Sequence, residues 1–333
     1  MYYFCTYFDS NYLTRGLALY QSLKTHCQSF KFWVLCMDDD SYTALIKYDF
    51  QEIHPISLGD FEFGNEKLLD IKKERSIAEY YFTCTPFLSL FILDNFPDVD
   101  LITYLDADLF FFADPAPLFA EIDGKSISIV GHRFPARLRH LESTGLYNVG
   151  WVSFRRDENG LECLCWWRDL CLEWCYDRVE AERFADQKYL DRFPDRFGNE
   201  IIIRHKGANV APWNIENYAL TKRNHRFYVD DEPLIFYHFQ GLKKIAPCIY
   251  NLGFWSYSIR ASKELMNYIY IPYIQELQRS QLGVLSLRTI RGCTVRTGWV
   301  TRVEKLIRWW SMFLKGIARR RFSLIVNGKV ISL

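Results

Sequence analysis

The sequence predicts an α/β fold in which a mostly parallel, Rossmann-like central sheet is flanked by helices and followed by a helical, basic C-terminal appendage. Strand-like and helix-like segments alternate from residue 2 onward, which is the pattern that builds a parallel sheet. An apolar run that begins at Leu101 ends in two carboxylates, Asp106 and Asp108. Eleven Lys or Arg but one Glu lie between residues 288 and 333. We therefore divide the chain into a domain at 1–256 and a C-terminal region at 257–333.

Hydrophobic periodicity predicts the individual elements. The predicted strands lie at 2–8, 31–37, on the apolar run before Asp106, and at 126–131 and 147–155. The predicted helices lie at 12–27, 41–47, 75–95, 158–178 and 257–281. Pro86 falls inside the third helix and predicts a kink or a break there, because proline cannot donate the helical hydrogen bond.

Polar side chains follow the first two strands, at 9–11 and at 38–40. Ligands of open α/β sheets bind at the carboxyl ends of the strands, so both triplets are candidates for a binding site. Each could instead be a helix N-cap, and for residues 38–40 we favour capping.

The two aspartates after the third strand predict a metal site. Side chains alternate between the faces of a strand, so Asp106 and Asp108 share one face and can both reach one ion. Oxygen ligands suit Mg²⁺ and Mn²⁺, which complete their coordination with water and substrate phosphates. The alternative is a turn or a helix N-cap that follows a strand, since D-x-D is a short and common pattern.

The N-terminal sequence, the longest apolar runs and the cysteines indicate the cellular compartment. The N-terminus lacks the features of a secretory signal, and no run of about 18 uncharged apolar residues occurs, so we expect a cytoplasmic protein. Ten cysteines are scattered along the chain. Four of them lie on one predicted helix at spacings unlike those of zinc sites, which favours free structural thiols over metal ligands.

Several short motifs follow one another between residues 2 and 250. They are Asp9-Ser10-Asn11-Tyr12, Arg75 before a helix, Tyr104-Leu105-Asp106-Ala107-Asp108, Tyr147-Asn148-Val149-Gly150, Asp186-Gln187, the N-x-x-x-W-N stretch at 209–214, and the H-x-x-G-x-x-K pattern of His238, Gly241 and Lys244. In this order they resemble the GT-A glycosyltransferases, and in particular glycosyltransferase family 8, which includes glycogenin and bacterial lipopolysaccharide galactosyl- and glucosyltransferases. One departure is Ala246-Pro247, where the family has Pro-Trp.

The resemblance implies the GT-A fold and a divalent cation, Mn²⁺ or Mg²⁺, held by Asp106, Asp108 and His238. Lys244 would face the diphosphate of the donor, and Gly241 would let the backbone approach it. Taken alone, His238 could equally be a core histidine packed among its aromatic neighbours.

The resemblance also implies a donor site. The nucleotide and donor contacts would come from Thr6, Asp9, Asn11 and Arg75, and the sugar contacts from Asn148, Asn209, Asp186 and Gln187. Of these we place Asp186 and Gln187 at the anomeric face, as the catalytic pair. The alternatives are that this pair caps a helix and that the two asparagines satisfy loop backbones.

By this resemblance the protein is a hexosyltransferase that takes a sugar from a nucleotide-diphosphate sugar, with a UDP-sugar favoured. Its acceptor would be a glycan or a lipid-linked molecule in cell-surface polysaccharide or lipopolysaccharide synthesis. The resemblance implies retention of anomeric configuration, and because no residue is an obvious nucleophile, transfer on the leaving-group face is favoured. An inverting enzyme would need a free base, for which Asp231 and Glu232 stay open.

The basic tail at 299–322 combines aromatic and aliphatic side chains with Lys and Arg. This pattern is typical of a helix that lies in an anionic membrane surface, and it would bring the domain to the inner face of the membrane as a peripheral protein. The alternative is a helix docked on the core with its basic face in solvent. Nucleic acid is not expected as a partner, because the rest of the chain is acidic and offers no binding module.

Two other functions stay open on the sequence alone. The first is a phosphatase or phosphotransferase of the haloacid dehalogenase type, which also has D-x-D after a strand. That class has Thr or Val two residues after the second Asp, and here Phe110 occupies that position. The second is a catalytically silent nucleotide-sugar-binding protein.

Overall fold

The computed structural model describes residues 1–224, 226–246, 249–289, 323–326 and 329–332. The segment at 299–322, for which the sequence predicts a membrane-surface helix, lies outside these ranges. Among the helices in the described ranges, none is both long enough and apolar enough to cross a bilayer.

A seven-stranded sheet lies at the centre of the described chain. The strands up to residue 203 are β1 (Tyr2–Phe8), β2 (Phe30–Cys36), β3 (Ile53–Ser57), β4 (Leu101–Leu105), β5 (Leu109–Phe111), β6 (Ile127–Gly131), β7 (Tyr147–Arg155) and β8 (Glu200–Ile203). All except β5 form the sheet, in the order β3-β2-β1-β4-β7-β6-β8. β1 is parallel to β2 and β4, β2 to β3, and β6 to β8, whereas β7 is antiparallel to both of its neighbours. The predicted α/β class with a mostly parallel sheet is confirmed.

Helices cover both faces of this sheet. They are α1 (Leu13–His26), α2 (Asp39–Tyr48), α3 (Leu58–Glu62), α4 (Glu66–Glu74), α5 (Ile77–Asn95), α6 (Ala116–Ile122), α7 (Glu158–Glu173) and α8 (Phe193–Arg196). Asp38 caps α2 by accepting a hydrogen bond from the Ser41 N–H, which confirms the capping prediction. Ser76 and Glu79 form a capping box at the start of α5, and this helix continues through Pro86 instead of breaking there.

Helix α7 ends five residues before its predicted end at 178. Trp174, which follows its last residue, has extended backbone angles. The guanidinium of Arg75 donates hydrogen bonds to the carbonyl oxygens of Cys171 (2.6 Å) and Leu172 (2.8 Å). Because the last carbonyls of a helix have no partner within it, this side chain satisfies the end of α7 from another part of the chain.

The core has one apolar layer on each side of the sheet. On β1, Cys5 faces a cluster formed with α5 and α7, whereas its neighbour Phe4 faces a cluster formed with α1 and α6. This arrangement follows from the alternation of side chains along a strand. Because both faces are covered, the strand ends at the sheet's edge are the places where polar side chains can meet a ligand.

The second half of the chain adds smaller sheets and a helical region. Its elements are β9 (Leu220–Arg223), β10 (Arg226–Val229), β11 (Glu232–Pro233), β12 (Phe236–His238), β13 (Lys243–Ala246), β14 (Ile249–Asn251), α9 (Lys263–Leu265), a π-helix (Met266–Tyr270), α10 (Ile271–Thr289), β15 (Ser323–Val326) and β16 (Lys329–Ser332). β12 pairs with β5, and the last two strands join β13 and β14 in one sheet.

The helix predicted at 257–281 begins later in the structure and continues through a π-helical turn into α10. Ser258 has a positive φ of 55°, and the helical segment begins only after Ser262, whose side chain accepts a hydrogen bond from the Leu265 N–H. The aromatic residues Tyr270 and Tyr273 pack in one cluster with Ala18 of α1, so the C-terminal helices contact the first half of the chain. The domain boundary at 256 stays a prediction.

Candidate active site

The candidate site lies at the sheet edge where β1, β4 and β6 end. β1 and β4 are parallel, and β6 runs in the same direction because β7, antiparallel to both, lies between β4 and β6. A polar residue directly follows each of these strands: Asp9 follows β1, Asp106 follows β4 and His132 follows β6. The edge therefore gathers polar groups from distant parts of the sequence, as open α/β sheets do at their ligand sites.

A short strand pair brings His238 to the two aspartates. β5 starts directly after Asp108, and β12 pairs with it so that His238 lies opposite Leu109. The Phe239 N–H also donates to the carbonyl oxygen of Asp108 at 3.0 Å. The structure thus brings together the three residues proposed from the sequence as metal ligands, with their ligand atoms all within 4.8 Å of one another.

The geometry of His238 fits a metal ion. Its Nε2 atom lies 3.1 Å from Asp108 Oδ1 and 3.6 Å from Asp106 Oδ2. This nitrogen is buried, and the two carboxylates are its ion-pair partners. Two carboxylates and an imidazole nitrogen that face one another form a donor set that suits Mn²⁺ or Mg²⁺.

The side chain of Asn148 fixes the orientation of this imidazole. Asn148 Oδ1 lies 3.2 Å from His238 Nδ1 and also accepts a hydrogen bond from the Gly150 N–H. An imidazole that donates from Nδ1 keeps the lone pair of Nε2 available for a metal, as in many metal sites where a second partner orients the histidine. A Cβ atom at Gly150 would lie 2.6 Å from Asn148 Oδ1 and 3.2 Å from Asp106 Oδ2, so only glycine fits beside these atoms.

The charges of the cluster are strongly coupled. Burial raises the pKa of Asp106. Burial acts in the same direction on Asp108, but His238 and Arg15 outweigh it and hold the pKa of Asp108 below its ordinary value. Burial lowers the pKa of His238, and the two carboxylates outweigh it and raise that pKa. The cluster therefore favours a positive charge between the carboxylates, which a divalent cation would supply.

A cavity of about 520 Å³ opens beside the cluster. Its polar lining comes from Asp106, His132, Thr144, Asn148, Asp177, Asp186, Gln187, His238, Gln240 and Ser256. Its aromatic lining comes from Tyr7, Phe82, Phe134, Phe184, Trp213 and Tyr257. Polar groups that converge within an apolar wall are typical of small-molecule sites, and this volume lies in their usual range.

Asp186 and Gln187 face this cavity. Burial and the nearby Asp106 raise the pKa of Asp186 to about 7, although a hydrogen bond with Thr85 opposes them. Gln187 accepts a hydrogen bond from Asn148 Nδ2 at 3.1 Å and donates to the carbonyl oxygen of Thr144 at 3.0 Å. Gln187 precedes a short 3₁₀ helix without capping it through its side chain. The structure therefore places the pair in the cavity and gives Gln187 no capping bond.

Three residues assigned to the donor site do not line this cavity. Arg75 is buried against the end of α7, where its guanidinium contacts carbonyl oxygens. Thr6 is fully buried within β1, and Asn209, also fully buried, donates to the carbonyl oxygen of Gly131. None of the three is among the described residues that line the cavity. Their donor contacts stay predictions that these positions do not support.

The other donor-site residues lie near the start of α1 and β13. Asp9 accepts hydrogen bonds from the N–H groups of Asn11 and Tyr12 and so shapes the turn before α1. Asn11 and Lys244 line a second cavity of about 500 Å³. Gly241 has a φ of 80°, a conformation that glycine adopts readily.

Sequence reasoning missed His132 and the packing role of Trp213. His132 lines the cavity, contacts Asn148 Nδ2 at 3.3 Å and stacks on Phe134. The indole of Trp213 packs edge-on against His132 and His238, with ring centroids 5.3 and 5.1 Å apart. Burial and the nearby His238 lower the pKa of His132 to about 3, so its ring is neutral at pH 7. The available signal was its position directly after β6.

Two proteins of one bacterium are similar to this chain in sequence. No model of a known protein family matches the chain. The chain is 32% identical to the uncharacterized protein YfnD of Bacillus subtilis (strain 168) over 281 residues, which is 84% of this chain and 89% of YfnD. It is 34% identical to the uncharacterized protein YfnF of the same organism over 253 residues, which is 73% of this chain and 82% of YfnF.

Among solved structures, the galactosyltransferase LgtC in complex with donor and acceptor sugar analogs has a similar fold. The TM-score is 0.52 at 14% sequence identity, and the match covers 90% of this chain and 99% of the LgtC chain. At this identity the likeness concerns the fold alone. The GT-A fold predicted from the sequence motifs is confirmed.

Proposed function

Because the chain belongs to the family of YfnD and YfnF and has the GT-A fold, we propose that it is a metal-dependent glycosyltransferase. It would move a sugar from a nucleotide-diphosphate sugar, with UDP as the favoured nucleotide, to a glycan or lipid-linked acceptor. The observation that carries the proposal is the cluster of Asp106, Asp108 and His238 beside a cavity that also holds Asp186 and Gln187.

The cluster supports the departure of the nucleoside diphosphate. When bound, Mn²⁺ or Mg²⁺ would supply a Lewis acid for the diphosphate oxygens. Asp106, Asp108 and His238 would hold that ion, and Asn148 keeps the His238 ring in the required orientation. Lys244, at the second cavity, adds a positive charge for the same phosphates.

Asp186 and Gln187, which also line the cavity, support binding of the donor sugar. Near neutral pH the carboxyl of Asp186 is partly protonated, so it can donate or accept a hydrogen bond to a sugar hydroxyl. Gln187 is held by Asn148 and Thr144, which fixes its amide without using all of its donors and acceptors. These two side chains are therefore our candidates for positioning the anomeric carbon.

The positions of two other carboxylates favour a retaining reaction over an inverting one. Asp231 and Glu232 were the candidate bases for inversion, and neither is among the described residues that line the cavity. Asp231 pairs with Lys206 Nζ, and Glu232 accepts a hydrogen bond from the Lys206 N–H. We therefore propose transfer on the leaving-group face, with retention.

The setting of the reaction is part of the proposal. We infer a role in cell-surface polysaccharide synthesis at the cytoplasmic face of the membrane, with peripheral contact through residues 299–322. The support is the basic, aromatic composition of that segment.

Incubation with Mn²⁺ and a panel of nucleotide sugars tests the proposed activity. Slow, metal-dependent hydrolysis of one donor, lost in Asp108→Ala, is the expected result. Turnover of phosphomonoesters without donor hydrolysis would instead indicate the phosphatase class. Binding of a nucleotide sugar without turnover, with any candidate acceptor, would indicate a silent binding protein.

A further inference from the structure

The second cavity has a uniform charge. It measures about 500 Å³ and is lined by Ser10, Asn11, Tyr12, Thr14, Arg15, Leu242, Lys243, Lys244, Tyr250, Leu277 and Gln281. Each charged residue in this lining is a cation, and the described lining contains no Asp or Glu. A concave surface whose charged groups are all positive attracts anions, and phosphate groups in particular.

Arg15 connects this cavity to the metal cluster. It lies in the first turn of α1, and its Nη1 atom is 4.0 Å from Asp108 Oδ2. Its Nη2 atom donates a hydrogen bond to the carbonyl oxygen of Leu242, in the turn that leads to Lys244. A phosphate chain that reached from the ion to Lys244 would therefore pass the guanidinium.

The guanidinium is positioned before any ligand arrives. It lies 4.3 Å from the ring centroid of Tyr12, and the Arg15 side chain is only 15% exposed. Packing of this kind removes the rotamer freedom that a flexible cation would lose on binding. Its charge is therefore fixed beside the cavity.

Several donors of this guanidinium are available to a ligand. An arginine carries five N–H groups, and the described contacts are one carbonyl acceptor, a hydrogen bond with the Tyr12 side chain and a carboxylate beyond hydrogen-bond distance. Arg75 differs in this respect, because its donors are bound to Thr83 and to the end of α7. Of the two arginines, Arg15 is the one beside the cluster and a cavity.

We propose that Arg15 is a catalytic residue that contacts the diphosphate of the donor, between the metal ion and Lys244. Its positive charge would stabilise the negative charge that develops on the leaving nucleoside diphosphate. This inference rests on the proposed function, because it assumes that a diphosphate binds at the metal cluster. It adds a contact that the sequence motifs did not indicate.

The position of Arg15 predicts two effects of opposite sign. Its charge repels a cation at Asp108, so removing it strengthens binding of the metal alone. The same charge attracts phosphate, so removing it weakens binding of a diphosphate. A residue that only supported the fold would change both affinities in the same direction, or neither.

The test compares Arg15→Gln, Arg15→Lys and a control, Lys24→Gln. Lys24 is on the same helix and pairs with Glu52, away from both cavities. Mn²⁺ binding without phosphate is measured by electron paramagnetic resonance, and binding of inorganic pyrophosphate with Mg²⁺ by calorimetry. For Arg15→Gln we expect pyrophosphate affinity to fall about tenfold or more and Mn²⁺ affinity to rise about twofold or more.

The controls separate the possible failures. Arg15→Lys keeps the charge, so its pyrophosphate affinity should lie between wild type and Arg15→Gln, and Lys24→Gln should match wild type. Unchanged pyrophosphate affinity in both Arg15 variants, or a loss of both affinities in Arg15→Gln with Arg15→Lys equally impaired, overturns the inference. If wild type itself bound neither Mn²⁺ nor pyrophosphate, the proposed function would fail instead.

Discussion

At the scale of single residues, the metal cluster depends on one amide that does not belong to it. Asn148 receives hydrogen bonds from the Gly150 N–H and from His238 Nδ1, and its Nδ2 donates to Gln187. Because both ends of the amide have partners, the side chain cannot rotate without breaking them. The His238 ring is therefore held with Nε2 toward the carboxylates.

The ligand role of Asp108 predicts loss of activity without loss of fold. Asp108→Ala should lower donor hydrolysis by more than about 100-fold, since even the loss of a ligand's supporting partner lowers activity 10–100-fold. Circular dichroism should show a wild-type spectrum. Asp70→Ala, an exposed residue on α4 that pairs with Lys73, is the matched control and should keep wild-type rates. Wild-type turnover in Asp108→Ala would be incompatible with the site.

A side chain at position 150 should disturb the same cluster by steric conflict. In Gly150→Ala the new Cβ atom would lie 2.6 Å from Asn148 Oδ1, so the amide must shift and release the His238 ring. We expect Mn²⁺ affinity to fall about 10- to 100-fold, measured by electron paramagnetic resonance. Gly198→Ala is the control, because a Cβ there meets nothing within 4 Å. Equal Mn²⁺ affinity in the two variants would contradict the role given to Asn148.

At the scale of secondary structure, helix boundaries depend on caps, and only local caps can be predicted. Asp38 and Ser76 lie next to the helices that they begin, so sequence reasoning can find such signals. The end of α7 depends on Arg75, nearly one hundred residues earlier, and no local pattern reports that contact. Arg75 therefore has a structural contact that its position before a helix does not report, and its donor contact stays a prediction.

The capping box of α5 predicts a measurable contribution to stability. Ser76→Ala removes the hydroxyl that accepts from the Glu79 N–H, so the free energy of unfolding should fall by about 1 kcal/mol. Urea unfolding followed by circular dichroism measures this change. Ser143→Ala, which removes an exposed hydroxyl bonded only to the His140 carbonyl among the described groups, should stay within about 0.5 kcal/mol of wild type. If both variants lost the same free energy, capping would not be the cause.

The pairing of β5 with β12 could not be predicted from the sequence pattern. Each strand has three residues, too few for a periodic signal. Only the resemblance to a family placed His238 with Asp106 and Asp108. His132 and Arg15 belong to none of the motifs that carry this resemblance, and neither was found from sequence. Strand length and alternation predicted most of the central sheet, whereas β3, which contains Pro55, and the four-residue β8 were missed.

At the scale of the whole molecule, Asp186 links folding to pH. Its pKa in the folded protein is about 7, above the ordinary value of 3.8, so the folded state binds this proton more tightly than the unfolded state. Stability from this group is therefore present at low pH and is lost as the pH rises from about 4 to 7. The largest slope it can contribute is about 1.4 kcal/mol per pH unit.

Asp186→Asn should remove this slope. We expect the free energy of unfolding of the variant to exceed that of wild type at pH 8 and the difference to shrink toward pH 4, measured by urea unfolding in EDTA. Asp123→Asn, at an exposed position, is the control and should keep the wild-type slope. A constant difference between Asp186→Asn and wild type across this range would show that the buried carboxyl does not titrate as described.

The joining of β5 and β12 also has a consequence for folding kinetics. Leu109 and His238 are far apart in the chain, so closing the intervening loop is entropically unfavourable, and we expect this pairing to form late in folding. A cation that needs both segments finds no complete set of ligands in a partly folded chain. Added Mn²⁺ should therefore slow unfolding while leaving the refolding rate nearly unchanged. The ion would then stabilise the native state kinetically.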